Sequence, residues 1–164
     1  MLRKRIAPGP GQESVWDYPR PPRLEDSQKL IQIVLNGIEI AHTQHAKRVL
    51  ETSQPPTYYI PPEDVKMEYF IPSHKHTYCE WKGTASYYTI TVGDISIPDA
   101  AWYYQHPSQG YEALSGYIAV YPSQMDACYV AGEKVQSQAG NFYGGWITSD
   151  IVGPFKGGAG TMGW

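Results

Sequence analysis

Cysteine is scarce in this chain of 164 residues: Cys79 and Cys128 are the only two, too few for a disulfide framework or a four-thiolate zinc site. Nowhere do about 18 apolar residues follow one another, which excludes a membrane-spanning helix. The basic run near Met1 is not followed by the apolar stretch of a signal sequence. The expectation is a cytoplasmic protein with no membrane partner. Positive charge is thin as well. Thirteen Lys and Arg stand against 16 Asp and Glu, a formal charge of −3, with a pI near 5.9. A surface that coats nucleic acid needs clustered cations. Only Arg3, Lys4 and Arg5 cluster that way, and on a terminal arm they read as a solvated tail, so no nucleic-acid partner is expected.

What is abundant points to β structure. Fourteen Tyr, 5 Trp, 16 Gly and 14 Pro favour strands and turns over long helices, and the length suffices for one domain with a real core. Residues 1–23 form a Pro-rich arm, because proline lacks the amide donor and fixes φ; its Trp16 and Tyr18 are expected to dock on the body or on a neighbouring subunit, the alternative being an exposed proline ligand. Residues 24–136 form the β domain. Residues 137–164 form a Gly-rich tail in which Phe142, Trp146, Ile151, Phe155 and Trp164 are spaced as anchors.

Local signals order the body. Asn36-Gly37 is a type I′ hairpin turn, which pairs Leu35 with Ile38, Ile33 with Ile40 and Ile31 with His42. Pro55-Pro56 and Pro61-Pro62 bracket an extended Thr57–Ile60. Pro62-Glu63-Asp64 suits a helix start, predicting one short helix through about Tyr69. Gly93-Asp94 suits a type II′ turn pairing Val92 with Ile95 and Ile90 with Ile97, with Tyr87 on the opposite face. Residues 100–104 put Trp102 and Tyr104 on one side and Tyr103 on the other, 116–121 form a buried strand, and a turn at Gly132-Glu133 folds 129–131 back on 134–136.

The chemistry concentrates between Thr77 and Val92. In an extended segment Cys79 and Trp81 project together while Lys82 points away, unless the turn at Gly83 re-aims it. A nucleophilic thiol needs a nearby cation or imidazole, and His74, His76 and Lys82 are close in sequence to Cys79; the other reading is a half-buried cysteine that packs as a small apolar residue. His74, His76 and Cys79 also have the spacing of three metal ligands, but S-H-K-H-T is an ordinary polar loop as well, and no metal is placed in the site. Lys82, with Arg48 as a second cation, suits a phosphate or carboxylate. Tyr58, Tyr59, Trp81, Tyr87, Trp102 and Tyr104 are either core or a cage for a planar ligand. Lys156 to Thr161 has the wrong order for a phosphate loop.

L-E-T-S-x-P-P-T-Y-Y-I-P-P-E-D-V (50–65), C-x-W-K-G-x-A-S-Y-Y (79–88), A-W-Y-Y (101–104) and G-Y-I-A-V-Y-P (116–122) resemble the domain-of-unknown-function family DUF427, sometimes labelled nucleotidyltransferase-like. The resemblance runs from about Leu30 to Glu133, departs from the family at Glu80, where a proline is expected, and extends into the tail. It implies a small, mainly β, antiparallel two-sheet (β-tent-like) domain with one or two short helices and a ligand between the sheets. No pair of spaced acidic residues after a Gly-Ser turn is present to hold the two metal ions of a nucleotidyltransferase.

The leading expectation is a ligand-binding β domain for a small planar or anionic, nucleotide-like molecule, its cleft walled by Tyr59, Trp81, Tyr87 and Trp102 with Lys82 and Arg48 as anchors. No cofactor is named. The alternatives are an enzyme using Cys79 and a homo-oligomeric scaffold joined through its terminal arms.

Overall fold

A computed structural model describes residues 5–140 and 143–164; Arg3, Lys4 and Phe142 lie outside the described residues. The strands in chain order are β1 (Glu13–Ser14), β2 (Arg23–Ser27), β3 (Ile31–Leu35), β4 (Ile38–Thr43) and β5 (Ala46–Leu50). Then come β6 (Thr57–Tyr59), β7 (Phe70–Cys79), β8 (Gly83–Val92), β9 (Ile95–Tyr103) and β10 (Ile118–Val120). The chain closes with β11 (Ala127–Val130), β12 (Glu133–Lys134), β13 (Gln136–Ser137), β14 (Trp146–Ile147) and β15 (Ile151–Val152). Two four-stranded antiparallel sheets, ordered β12-β11-β3-β4 and β10-β9-β8-β7, carry a three-stranded sheet, β2-β5-β6, beside them. The fold is mainly β, as expected, and no described helix is long and apolar enough to cross a membrane.

Alternation along the strands sorts side chains into two cores. Ile31, Ile33 and Ile40 from the first sheet meet Ile90, Val92, Ile118 and Val120 from the second in one cluster. Each such burial contributes about 1.5–3 kcal/mol. Odd-numbered Tyr87 and Ala119 and the intervening Trp102 project from the other face of β8-β9-β10, and gather with Val49 and Tyr59 in a second cluster. Ile60 locks the third sheet to β10 by a reciprocal pair of backbone bonds with Ile118, both 2.8 Å.

The first hairpin turns at Asn36 and Gly37 with φ of 48° and 74°, the type I′ geometry. Leu35 pairs with Ile38, but a bulge slips the rest, so Ile33 meets Ala41 and Ile31 meets Thr43. The extra residue lets Ile40 and its neighbour Ala41 both be buried, while His42 stays outside, 2.9 Å from Glu39. The second hairpin has the expected pairs, Val92 with Ile95 and Ile90 with Ile97, before it too bulges.

Two further expectations are corrected. Instead of one helix from Pro62 to Tyr69 there are two single 3₁₀ turns, Pro62–Asp64 and Met67–Tyr69. Val65 between them is extended and bridges Ala41, the Lys66 amide donates to Ile40 at 2.8 Å, and Asp64 accepts from Thr43 Oγ1 at 2.7 Å. Pairing with the bulged strand edge satisfies groups that a helix would have used internally. The turn after β11 falls at Ala131-Gly132, both with positive φ, one residue earlier than expected, because Tyr129 pairs with Lys134.

The terminal segments fold back on their own chain. β1 pairs in parallel with β15, Val15 and Tyr18 are buried, and Trp16 Nε1 donates to Pro154 at 2.9 Å. Trp164 meets the Trp16 ring edge-on at 5.5 Å, and Trp146 is fully buried.

Candidate functional site

Four strands, β6 to β9, and the turn between β7 and β8 deliver most of the side chains of a cavity of about 270 Å³ on the second core's face. Between its two proline corners β6 alternates, sending Tyr58 into the main core and Tyr59 into the second. Tyr87 on β8 lies directly opposite Trp102 on β9, so both rings share a face. Cys79 pairs with Gly83, which makes Glu80, Trp81 and Lys82 a tight turn, and Gly83 takes φ +104° to close it. The turn re-aims Lys82 into the cavity beside Cys79.

Thus Tyr59, Cys79, Lys82, Tyr87 and Trp102 line one cavity. Trp81 does not. It borders a separate shallow hollow with Arg20, Lys156 and Trp164, because the two-residue period that linked it to Cys79 holds only in extended backbone. Arg48 is also elsewhere. Its Nη1 and Nη2 each donate to Glu13 at 2.8 Å and its Nε to Glu25 at 2.5 Å, at the floor of a larger polar cleft of about 540 Å³. Two carboxylates satisfy that guanidinium, which makes it a clasp between β1, β2 and β5 rather than a ligand anchor.

The cavity wall is a hydrogen-bonded aromatic array. Trp102 Nε1 donates to the Tyr59 oxygen at 3.2 Å, the rings edge-on at 6.3 Å, and Tyr121 packs on Trp102 at 4.6 Å. Tyr87 and Thr77 hydroxyls share a bond of 2.9 Å. Two ammonium groups flank the rings: Lys75 Nζ is 4.7 Å from the Tyr87 centroid and Lys82 Nζ 5.9 Å from that of Tyr104, within cation–π range.

Burial pushes the phenols of Tyr59, Tyr104 and Tyr121 above their ordinary range, so they remain neutral hydrogen-bonding groups at physiological pH. Burial opposes the Lys82 ammonium, but Tyr59, Cys79 and Glu51 nearby hold it above the usual lysine value; the Tyr59 contribution needs a phenolate, so with that phenol neutral at physiological pH much of the burial penalty on the ammonium is left uncompensated. Lys82 is therefore a half-buried cation, and among the described residues no carboxylate comes within 4 Å of it to form an ion pair. Glu51, at the cavity edge, is paired with Arg20 at 3.4 Å.

Sequence reasoning missed Lys75, Thr77, Tyr121 and Tyr143. Period-two alternation from Ala119 points to Tyr121. A register shift between Pro72 and His76 hides Lys75, and no local pattern marks Tyr143. His74 and His76 are exposed, His76 lying 3.2 Å from Ser86 Oγ. Among the described residues no group of three His, Cys, Asp or Glu side chains is placed to hold a metal ion.

No curated protein matches this chain. A family model described as a domain of unknown function (DUF427) matches residues 23–131, the span that carries β2 through β11 and all but two of the residues that wall the cavity. On that match, which takes in most of its length, the chain belongs to the DUF427 family.

Proposed function

We propose that the domain binds a small planar anion in the cavity between Tyr59, Trp102 and Lys82. The observation that carries this reading is the half-buried Lys82 ammonium without an ion-pair partner among the described residues, set in a wall of neutral phenols and an indole. A desolvated charge is unfavourable unless something compensates it, and a bound carboxylate or phosphate supplies that compensation. Lys75 at the Tyr87 ring adds a second attraction for negative charge. A volume of about 270 Å³ lies just below the usual range for ligand pockets of about 300–1,000 Å³. It suits a molecule the size of one or two fused rings, such as an aromatic carboxylate, better than a whole nucleoside triphosphate.

Thermal melting against a panel of aromatic carboxylates and nucleoside monophosphates tests the reading. A ligand at 100 times its Kd adds about 2.7 kcal/mol, a shift of several degrees. The expected result is a shift given by planar anions, not by their neutral amides, and lost in Lys82→Met. Shifts that survive Lys82→Met, or no shift from any planar anion, defeat the proposal.

The placement of Lys82 beside Cys79 in one cavity supports a second reading, in which the thiol acts as a nucleophile toward the bound molecule. Cys128 is buried and its thiol is pushed up to about 12 by burial, so alkylation of the native protein reports on Cys79. On this reading iodoacetamide labels Cys79 faster than a free model thiol at neutral pH; an equal or slower rate removes it.

A further inference from the structure

The match to the family ends at residue 131, yet Tyr143 and Gly144 line the same cavity as Tyr59 and Lys82. Gly144 lies against the indole so closely that a Cβ there would be 2.3 Å from Trp102 Cη2. The segment is held firmly from both sides. The Trp146 amide donates to Pro56 at 2.8 Å, next to β6, and the Trp146 side chain is fully buried. The buried Gln138 side chain accepts from the Gly145 amide at 3.1 Å and donates to Lys156 at 2.6 Å. Lys156 Nζ in turn sits 5.9 Å from the Tyr143 ring. A stretch anchored at Gly145 and Trp146 therefore carries Tyr143 over the space that the family strands leave beside Trp102.

We infer that the tail is the specificity-determining wall of the site: Tyr143 limits the length of the ligand, and Gly144 is the residue that lets the edge of the indole abut that wall. This rests on the cavity being a ligand site. The consequence is that the matched region supplies the cation, the thiol and the aromatic floor, whereas the size of molecule accepted is set by a segment outside it. A close-packed wall with no space for an added methyl group admits only what fits.

The wall is testable without a ligand, because Cys79 lines the cavity and is the accessible thiol. Wild type, Tyr143→Phe and Tyr143→Ala are labelled with iodoacetamide, which is small, and with fluorescein-5-maleimide, which is large and planar. The expected result is that Tyr143→Ala raises the rate of the large probe about tenfold while the small probe and the melting temperature hold within about twofold and one degree. Tyr143→Phe behaves as wild type. Equal rises for both probes mean general loosening and overturn the inference, as does a large-probe rate unchanged in Tyr143→Ala. Since both probes react covalently at Cys79, failure to find a reversible ligand would defeat the proposed function and leave this result standing.

Discussion

Trp102 and Tyr59 are joined by a buried hydrogen bond, the indole N–H donating to the phenol oxygen at 3.2 Å. The bond ties β9 to β6 across the floor of the cavity, between strands that belong to different sheets.

Tyr59→Phe keeps the ring and its packing but leaves the Trp102 N–H without an acceptor in a buried position. An unsatisfied buried donor costs about 1–3 kcal/mol. The expected outcome is a melting temperature lower by about 2–4 °C per kcal/mol lost, with Trp102→Phe on the Tyr59→Phe background costing less than it does in wild type. Full additivity in that double-mutant cycle would show that the bond contributes nothing.

Arg48 has a structural role, and pH reveals it. Its hydrogen bonds, the largest influence on Glu13, hold that carboxyl below its ordinary 4.5 in spite of burial. A carboxyl depressed on folding adds stability above its unfolded pKa, and the gain is lost as pH falls through the folded value. Wild type is therefore expected to melt above Arg48→Met at pH 6, with the gap closing below about pH 4. The melting shift proposed for planar anions is expected to persist in Arg48→Met. A gap independent of pH would assign the loss to packing of the arginine stem.

Gly144 gives a steric prediction. Its φ is not in the left-handed region, so Gly144→Ala strains nothing but the contact with Trp102 at 2.3 Å. Overpacking of this kind costs about 1–3 kcal/mol. Gly158→Ala is the control, because a Cβ there meets nothing within 4 Å. Calorimetry should show Gly144→Ala clearly destabilised and Gly158→Ala near wild type; equal melting temperatures would mean that the tail moves aside freely.

These residues also mark where the sequence could be read. Asn36-Gly37 named its turn type, since only residues tolerant of positive φ sit there, and the Tyr87, Trp102 and Tyr104 face followed from alternation. Register past a bulge was not legible: Ile40 and Ala41 are both apolar, so nothing in their order says which one is the extra residue. Trp81 left the cleft while Lys82 was turned into it, because alternation ends where the turn begins. Arg48 lies directly opposite Glu25, a pairing that depends on two strands more than 20 residues apart in sequence. Tyr143 comes to the cavity only through the tertiary anchor of Trp146.

Removing the Lys82 side chain separates the proposed anion anchor from a structural cation. Its backbone carbonyl accepts from the Ser108 amide at 2.9 Å, and any residue preserves that bond, so the turn does not need the lysine side chain. Near neutral pH, where the Tyr59 phenol carries no charge, replacing a half-buried ammonium that has no ion-pair partner among the described residues with an apolar chain of similar length removes a desolvation penalty and is neutral or stabilising. Lys82→Met is thus expected to melt at or above the wild-type temperature without ligand, while Lys82→Glu, which places a carboxylate beside the Tyr59 and Tyr104 phenols, melts below it. The measurement is the ligand-free melting temperature of all three proteins in low salt. A Lys82→Met protein several degrees less stable than wild type would show that the ammonium holds the fold together, and the case for a cation kept for an anionic guest would fall with it.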